Sequence, residues 1–413
     1  MEPFMAVAEN LQSRGHEIAC GFPEQFSESV GQMNLPFFGL SRKFLDLIES
    51  EDGRIVMGGK ASLFRRVSAF IRLARKGFSL NSLMAEEQER IIAEYQPDLI
   101  IHHPKAIFPV LYALQDPGKA VMLVPVPCML HPVPGYPNVG MYKYWLGQAF
   151  PGLSYAIARW GLIQNLVKST KGYIQQHRIS RHTIAAQLDR HPALYCISPA
   201  VFPEPESWPV HARMVGFQER NQQQHFNPAP ALSTFLDHHP KVMLLSFGSM
   251  SNPDPERITG LFLRAMEKLN IPCIINAAWG GLQEPEAYNR GLFHFVKGIP
   301  YDWAFPRVYA VIHHGGAGTT QTALKHGCAA MIIPHIIDQF LWNDINHQLG
   351  TGPRGQGVRD LSSKQLEKDM YSLWTTPSYK ERATQVATQM KAETPEEDFY
   401  RLLIELSATQ ARA

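Results

Sequence analysis

The chain has 413 residues, of which 45% are hydrophobic and 18% charged, enough apolar material for two buried cores. Lys and Arg total 39 against 37 Asp and Glu, and a net charge of +2 lacks the basic excess of a bulk nucleic-acid binder. The five cysteines, Cys20, Cys128, Cys196, Cys273 and Cys328, are scattered and form no CxxC pair, which excludes a disulfide framework or zinc ribbon and suits a reducing compartment.

In chain order, the pattern predicts a helix over residues 3–14, ended by Gly15, and a strand at 17–22. Residues 60–76 carry Leu63, Phe64, Val67, Phe70 and Ile71 at helical spacing, with Arg65, Arg66, Arg72, Arg75 and Lys76 mostly off that stripe. Such a helix either packs its stripe into a core or lies on an anionic membrane. Strands are expected at 98–101, 120–125 and 193–197. Residues 219–230 are polar, Gln-rich and end in prolines, and read as a linker.

Beyond it, strands are expected at 241–247, 272–276, 293–296, 310–313 and 329–334. A helix at 255–269 has Asp254 as N-cap and Pro255 in its first position. A tail helix at 395–407 sets Phe399, Leu402, Leu403 and Leu406 on one face. The strands are continuous apolar runs, as parallel strands buried on both faces are. The expected fold is α/β with two doubly wound domains. Their limits are 1–218 and 233–392, with a linker at 219–232 and a terminal helix, 393–413, packing back on the first domain. No apolar run reaches the ~18–20 residues of a membrane span, and the N-terminus lacks a basic-then-apolar secretion signal. The expected location is cytoplasmic, with peripheral membrane contact left open.

The most informative stretch is 311–320, Val-Ile-His-His-Gly-Gly-Ala-Gly-Thr-Thr. A strand runs into His313 and His314, then into Gly315, Gly316 and Gly318, and a helix starts near Thr319. Glycines at such a turn admit a ligand close to the backbone, and the new helix offers free N–H groups to a phosphate. His314 and the hydroxyls of Thr319 and Thr320 add donors. Neither a Walker A loop nor a GxGxxG with its acidic partner is present, which disfavours a dinucleotide oxidoreductase. About twenty residues on, Asp338 and Gln339 follow the next strand and fall on the same sheet edge. Read alone they are a helix cap; beside a phosphate site they suit vicinal sugar hydroxyls. Ser249 in Phe-Gly-Ser-Met and Trp279 in Trp-Gly-Gly follow two further strands to that edge.

On SFGSM at 246–250, WGG at 279–281, IPYDWAFPR at 299–307, HHGGAGTT at 313–320 and Asp338-Gln339, the second half resembles the UDP-glycosyltransferase superfamily of GT-B glycosyltransferases. It is most similar to the sterol glucosyltransferase-like and bacterial natural-product branch. The resemblance implies two facing Rossmann-like domains. His314, Gly316, Gly318, Thr319 and Ser249 would bind the donor diphosphate. Asp338 and Gln339 would hold the donor sugar, and Trp279, Ile299 and Tyr301 would line the nucleobase pocket. It also implies a UDP- or TDP-sugar co-substrate, no other cofactor, no metal, and a lipophilic acceptor such as a sterol, carotenoid or polyketide. The hexose would pass to an acceptor hydroxyl by inverting direct displacement.

In that family a strand and a loop reading roughly G-D-x-x-P-F precede the first helix, and the loop aspartate acts as base. Here the match starts at Met1-Glu2-Pro3-Phe4, so the first N-terminal strand of the fold is expected to be missing and the catalytic base is unassigned. His131, His103 and His16 are weak candidates for it. Two other readings follow: a catalytically impaired relative acting as a binding or auxiliary protein, and a UDP-sugar epimerase of the same fold.

Overall fold

A computed structural model describes residues 1–43, 46–47, 50–52, 63–248, 250, 252, 254–278 and 281–410. Every strand pairing within its sheets is parallel. The first half contains β1 (Cys20–Pro23), β2 (Phe37–Leu40), β3 (Ile100–His102), β4 (Ala120–Val124), β5 (Ala193–Tyr195) and β6 (Ala212–Met214). The second contains β7 (Met243–Ser246), β8 (Cys273–Asn276), β9 (Phe293–Val296), β10 (Ala310–His313) and β11 (Ala329–Ile332).

The second-half sheet has the order β11-β10-β7-β8-β9. The order doubles back between β7 and β10, so the loops after these two strands diverge and leave a crevice at the carboxyl edge. In the first half β3-β4-β5-β6 form one sheet and β1-β2 a separate pair; among the described residues β1 pairs only with β2, and β3 only with β4. Two strands escape the sequence pattern, β2 and β6. Both are short outer strands; β6 has Arg213 at its centre, so pairing to its neighbour defines it rather than a run of apolar residues, and β2 is a four-residue run interrupted by Gly39.

The helices form for local reasons that are visible in their ends. In Pro255–Lys268, Pro255 starts the first turn and the Asp254 carboxylate accepts the Arg257 N–H at 3.2 Å. The helix Leu63–Tyr95 contains most of the basic amphipathic stretch, but residues 60–62 and the side chains of Leu63, Phe64, Val67, Phe70 and Ile71 lie outside the described residues.

The segment after β6 is polar, yet it is tied down at several points. Glu219 meets Lys325 at 2.8 Å and His326 at 3.5 Å, Arg220 meets Glu9 at 3.0 Å, and Asp302 accepts the Gln223 N–H at 2.7 Å. The next helix begins at Pro230. The final helix, Pro395–Gln410, returns to the first domain. Its Phe399, Leu402, Leu403 and Leu406 pack with Phe4, Val7 and Leu11 of the helix Glu2–Ser13 and with Val121, Leu123 and Leu194 of β4 and β5. Where the chain crosses to reach that position, Gly216 has φ +71°, and a Cβ there would stand 2.8 Å from Pro395.

Phe399 is fully buried in this cluster. Phe399→Ala is expected to lower unfolding stability by about 3–5 kcal/mol through lost transfer energy and a residual cavity, as read by urea denaturation. An unchanged midpoint would mean the terminal helix does not hold the first domain.

Candidate functional site

The site is built on the turn from β10 into the helix Ala317–Lys325. Gly315 sits at φ +90°, and a Cβ there would be 2.5 Å from Ile332 and 3.3 Å from Gln339, so only glycine fits against the neighbouring strand and helix. Gly316 occupies the N-cap and offers no side chain to the helix, which leaves its first N–H groups open to a ligand. A Cβ on Gly316 would lie 2.5 Å from His314 Nε2, and one on Gly248 would lie 2.9 Å from His314 Cε1. The His314 ring is therefore held between two glycines from neighbouring turns. Gly318 in the first helical turn has open space where its Cβ would be, and Thr319 follows it half-buried. Thr320, expected to contribute a donor, does not: it is buried and its hydroxyl donates to the Gly316 carbonyl at 2.9 Å.

Three buried imidazoles surround the turn. His313 Nδ1 accepts the Gly315 N–H at 3.1 Å, and His335 Nδ1 lies 2.8 Å from the Ile333 carbonyl. His313 Nε2, His314 Nδ1 and His335 Nε2 find no partner among the described residues. Burial pushes His313 down to about 3, His335 to about 4, and His314 well below its ordinary value. All three rings are neutral near pH 7. An unpartnered buried nitrogen beside a helix N-terminus is a place where an anion gains a hydrogen bond that nothing else supplies.

The second element is the turn 335–338 after β11. Gln339, buried at the start of the helix Gln339–Gln348, accepts the His335 N–H at 2.7 Å and the Ile336 N–H at 3.1 Å through its Oε1. That spends its oxygen on shaping the turn and leaves the amide N–H₂ as its remaining donor. Ile337 is forced to φ +26°, which is costly for a β-branched residue, and its side chain is exposed. Asp338 stands in the N-cap position, yet its carboxylate caps no N–H of the helix. Burial raises that carboxyl to about 6, opposed by a hydrogen bond from its own backbone N–H and by the Lys105 ammonium of the first domain. An uncapped carboxylate, held by a strained turn next to the glycine turn, is better placed to accept hydroxyls than to stabilise its own helix.

Other expected residues fall into different positions. Ser249 and Trp279 lie outside the described residues. Ile299 is buried in a core cluster with Trp303, and Tyr301 stacks on Phe305 with its hydroxyl 2.7 Å from Ser246 Oγ. Ser246 also accepts from Asn276 Nδ2 at 3.2 Å. This Ser246–Tyr301–Asn276 network was not legible in the sequence, since its members come from separate motifs. It braces the crevice edge where β7 and β8 end.

The three histidines considered as a base separate clearly. His16 bonds Tyr400 at 3.2 Å beyond the C-terminal end of the helix Glu2–Ser13, the end remote from Met1. His131 Nδ1 lies 2.9 Å from the Tyr195 hydroxyl, and its ring contacts Tyr195, Trp208 and His211, all in the first domain. His103 follows β3, two residues before the Lys105 that faces Asp338; its Nδ1 accepts the Lys105 N–H at 3.0 Å, and burial with Lys105 nearby lowers it to about 3. With Nδ1 accepting, Nε2 carries the proton, so the resting ring is a donor.

The two halves are clasped around this site. Gln321, in the helix of the glycine turn, accepts the Ser198 N–H at 2.9 Å and donates to the Cys196 carbonyl at 3.2 Å. The Tyr142 hydroxyl donates to Asp344 at 2.8 Å, and Arg354 closes on the same carboxylate at 2.6 Å. The glycine turn and the Asp338 turn therefore face the first domain in a fixed relation.

With the geometry established, the chain can be set against known proteins. Residues 292–406 match the family described as the erythromycin biosynthesis protein CIII-like C-terminal domain. The chain is 28% and 26% identical to two sterol 3-beta-glucosyltransferases of Arabidopsis thaliana, over 95% of its own length and 61% and 64% of theirs. A sterol 3-beta-glucosyltransferase of Kluyveromyces lactis is 24% identical over 95% of this chain and 32% of that protein. The chain thus spans less than two thirds of these relatives. Among solved structures, the calicheamicin glycosyltransferase CalG4 superposes with a TM-score of 0.66 at 16% identity, covering 99% of this chain and 94% of that one. SnogD from Streptomyces nogalater superposes with a TM-score of 0.63 at 17% identity, over 98% and 96%.

The architecture is therefore the GT-B fold of glycosyltransferases. Within that class, the chain is a sequence relative of the sterol 3-beta-glucosyltransferases, with a C-terminal segment shared with the erythromycin biosynthesis family.

The buried histidines tie stability to pH. Each ring is neutral when folded and takes up a proton when unfolded, so its contribution is complete above about 6.5 and is lost as pH falls towards its folded value. Between pH 6 and 5, His335→Asn should reduce the slope of stability against pH by ~1.4 kcal/mol per unit, one proton's worth. Urea unfolding at several pH values reads this; an unaltered slope would mean His335 is protonated in the folded state.

Proposed function

We propose that this protein transfers a hexose from a nucleotide diphosphate sugar, UDP-glucose first among them, to the hydroxyl of a lipophilic, sterol-like acceptor. The observation that carries the reading is the pairing of two turns on one sheet edge: an open helix N-terminus with His314 Nδ1 unpartnered among the described residues, and a non-capping Asp338 beside it. The first suits a diphosphate and the second a sugar. Relatives named sterol 3-beta-glucosyltransferase support the sterol-like acceptor, and a hydroxyl acceptor presented from the first domain suits the clasped cleft.

In this reading the acceptor oxygen attacks the anomeric carbon as the bond to the diphosphate breaks, which inverts that centre. Negative charge grows on the leaving diphosphate. The N–H groups at Gly318 and Thr319 and the His314 ring meet that charge already oriented, without reorganisation at the moment of reaction. Asp338 and the amide of Gln339 fix the sugar, and Lys105 brings a cation to the opposite wall. The proton of the acceptor hydroxyl goes to a base. His103, beside Lys105, is the candidate for that role, but its tautomer and low proton affinity work against it. That observation favours one second reading, a relative that binds nucleotide sugar without transferring it.

Calorimetric titration with UDP and UDP-glucose tests the first step. His314→Ala should weaken both by about ten- to a hundredfold, the loss of one hydrogen bond to a charged group, while the fold persists. Equal affinities in the two proteins would remove the diphosphate site. Binding of UDP-glucose with no transfer to sterol would favour the second reading.

Asp338 makes a separate prediction. Its carboxylate accepts sugar hydroxyls when ionised, so affinity for UDP-glucose relative to UDP should fall as pH drops through about 6. Asp338→Asn should flatten that ratio against pH. A ratio that keeps its pH dependence in the variant would place the titrating group elsewhere.

A further inference from the structure

Twelve large hydrophobic side chains stand exposed among the described residues, and seven of them fall within one short stretch: Tyr144, Trp145, Leu146, Phe150, Leu153, Ile157 and Trp160. Trp145 is 77% exposed and Trp160 59%. The helix Pro151–Ser169 already buries Tyr155, Ile163 and Leu166, so it has met its need for a core. Leu153, Ile157 and Trp160 recur at i, i+4 and i+7 and form a second apolar face. Trp145 and Phe150 meet edge to face at 6.4 Å and extend that face over the short helix Trp145–Ala149. A contiguous exposed patch of this kind marks an interaction surface.

Charge identifies the partner. From residue 117 to 188 the sequence contains seven Lys and Arg and no Asp or Glu. Within 144–160 the only charged side chain is Arg159, which turns to Asp189 at 2.7 Å. Lys143 precedes the patch and Lys168 and Lys171 follow it. The long helix Leu63–Tyr95 runs alongside in the same direction: Asn81 donates to Asn165 at 2.8 Å, and Glu89 lies near Tyr173. Trp, Tyr and Phe flanked by cations, with no carboxylate in the segment itself and the nearby Asp189 neutralised by Arg159, match the headgroup region of an anionic bilayer.

The patch also adjoins the cleft. Tyr142 bonds Asp344, and Lys143 lies 4.3 Å over the Phe340 ring, both on the helix that begins after Asp338. Tyr144 and Trp145 are the next residues in the chain.

We propose that residues 144–160 form a docking surface for a bilayer containing anionic lipid, seating the cleft against the membrane so that a lipid acceptor enters without crossing water. The surface takes its purpose from the function proposed above, but binding to lipid is readable without any transfer.

Flotation of the full chain with phosphatidylcholine vesicles, with and without phosphatidylglycerol, tests this. The wild type should float, more strongly with the anionic lipid and less at high salt. Trp145→Ser, Leu153→Ser and Trp160→Ser combined should reduce partitioning by about a hundredfold. Its affinity for UDP and its circular dichroism should match the wild type, which separates lost docking from lost folding. Quenching of wild-type tryptophan fluorescence by brominated lipid should accompany binding. Vesicle binding equal in variant and wild type would overturn the proposal. So would a wild type that floats with neither composition, or that sediments as a dimer which the triple substitution dissociates, since the patch would then cover a second copy. Flotation without glucosyl transfer would leave the docking surface standing and remove the transferase reading. Transfer to a detergent-dispersed acceptor without flotation would do the reverse.

Discussion

The close approach of His314 to the backbone at Gly316 and Gly248 is the contact on which the site depends. It joins the turns after β10 and β7, the two strands between which the sheet order doubles back. A methyl group at either glycine would push the ring away, and a methyl group at Gly315 would collide with Ile332 on the neighbouring strand. Three glycines therefore act as one steric arrangement. They keep the helix Ala317–Lys325 pointing its bare N-terminus into the crevice, with an imidazole beside it that nothing in the described residues satisfies.

That arrangement carries an energetic burden that the surrounding core offsets. Several buried rings keep unpartnered nitrogens, Ile337 is held at positive φ, and the Asp338 carboxyl is raised by burial instead of being used as a cap. Each of these features costs stability in the free protein. They concentrate on one edge of one sheet, whereas β7, β8, β10 and β11 behind them are fully buried, and apolar up to Ser246, Asn276 and His313 at their ends. Strain gathered in one place over a well-packed support is the pattern of a preorganised binding site.

The relation between the domains is set by polar contacts at a few points and by continuous apolar packing. Leu341, Trp342 and Ile345 of the second domain share a cluster with Phe202, Val201 and Tyr142 of the first. Gln321 fastens the glycine-turn helix to the chain after β5, and Asp344 fastens the Asp338 helix to Tyr142. The same Tyr142 leads into the exposed aromatic stretch, so the cleft, the clasp and the lipid-facing surface follow one another along a few residues.

Much of this organisation was legible in the sequence because its determinants are local. Among the described residues, apolar runs marked nine of the eleven strands. Pro255 with Asp254 marked a helix start, and the order of glycines after His314 marked a turn open to phosphate, because backbone freedom and helix dipoles belong to neighbouring residues. The role of Asp338 was legible as to place but not as to state, since its identical sequence would serve as a helix cap. Only tertiary structure decided that its carboxylate leaves the helix uncapped, that Gln339 spends its oxygen on residues 335 and 336, and that Thr320 is lost to the Gly316 carbonyl. It also decided that Ser246, Tyr301 and Asn276 share a network, and that His103 packs beside Phe4 and accepts the Lys105 N–H while His16 binds Tyr400 at the far end of its helix. Those outcomes depend on which distant strand or helix lies alongside, a choice made by packing across the whole chain rather than by any residue's immediate neighbours.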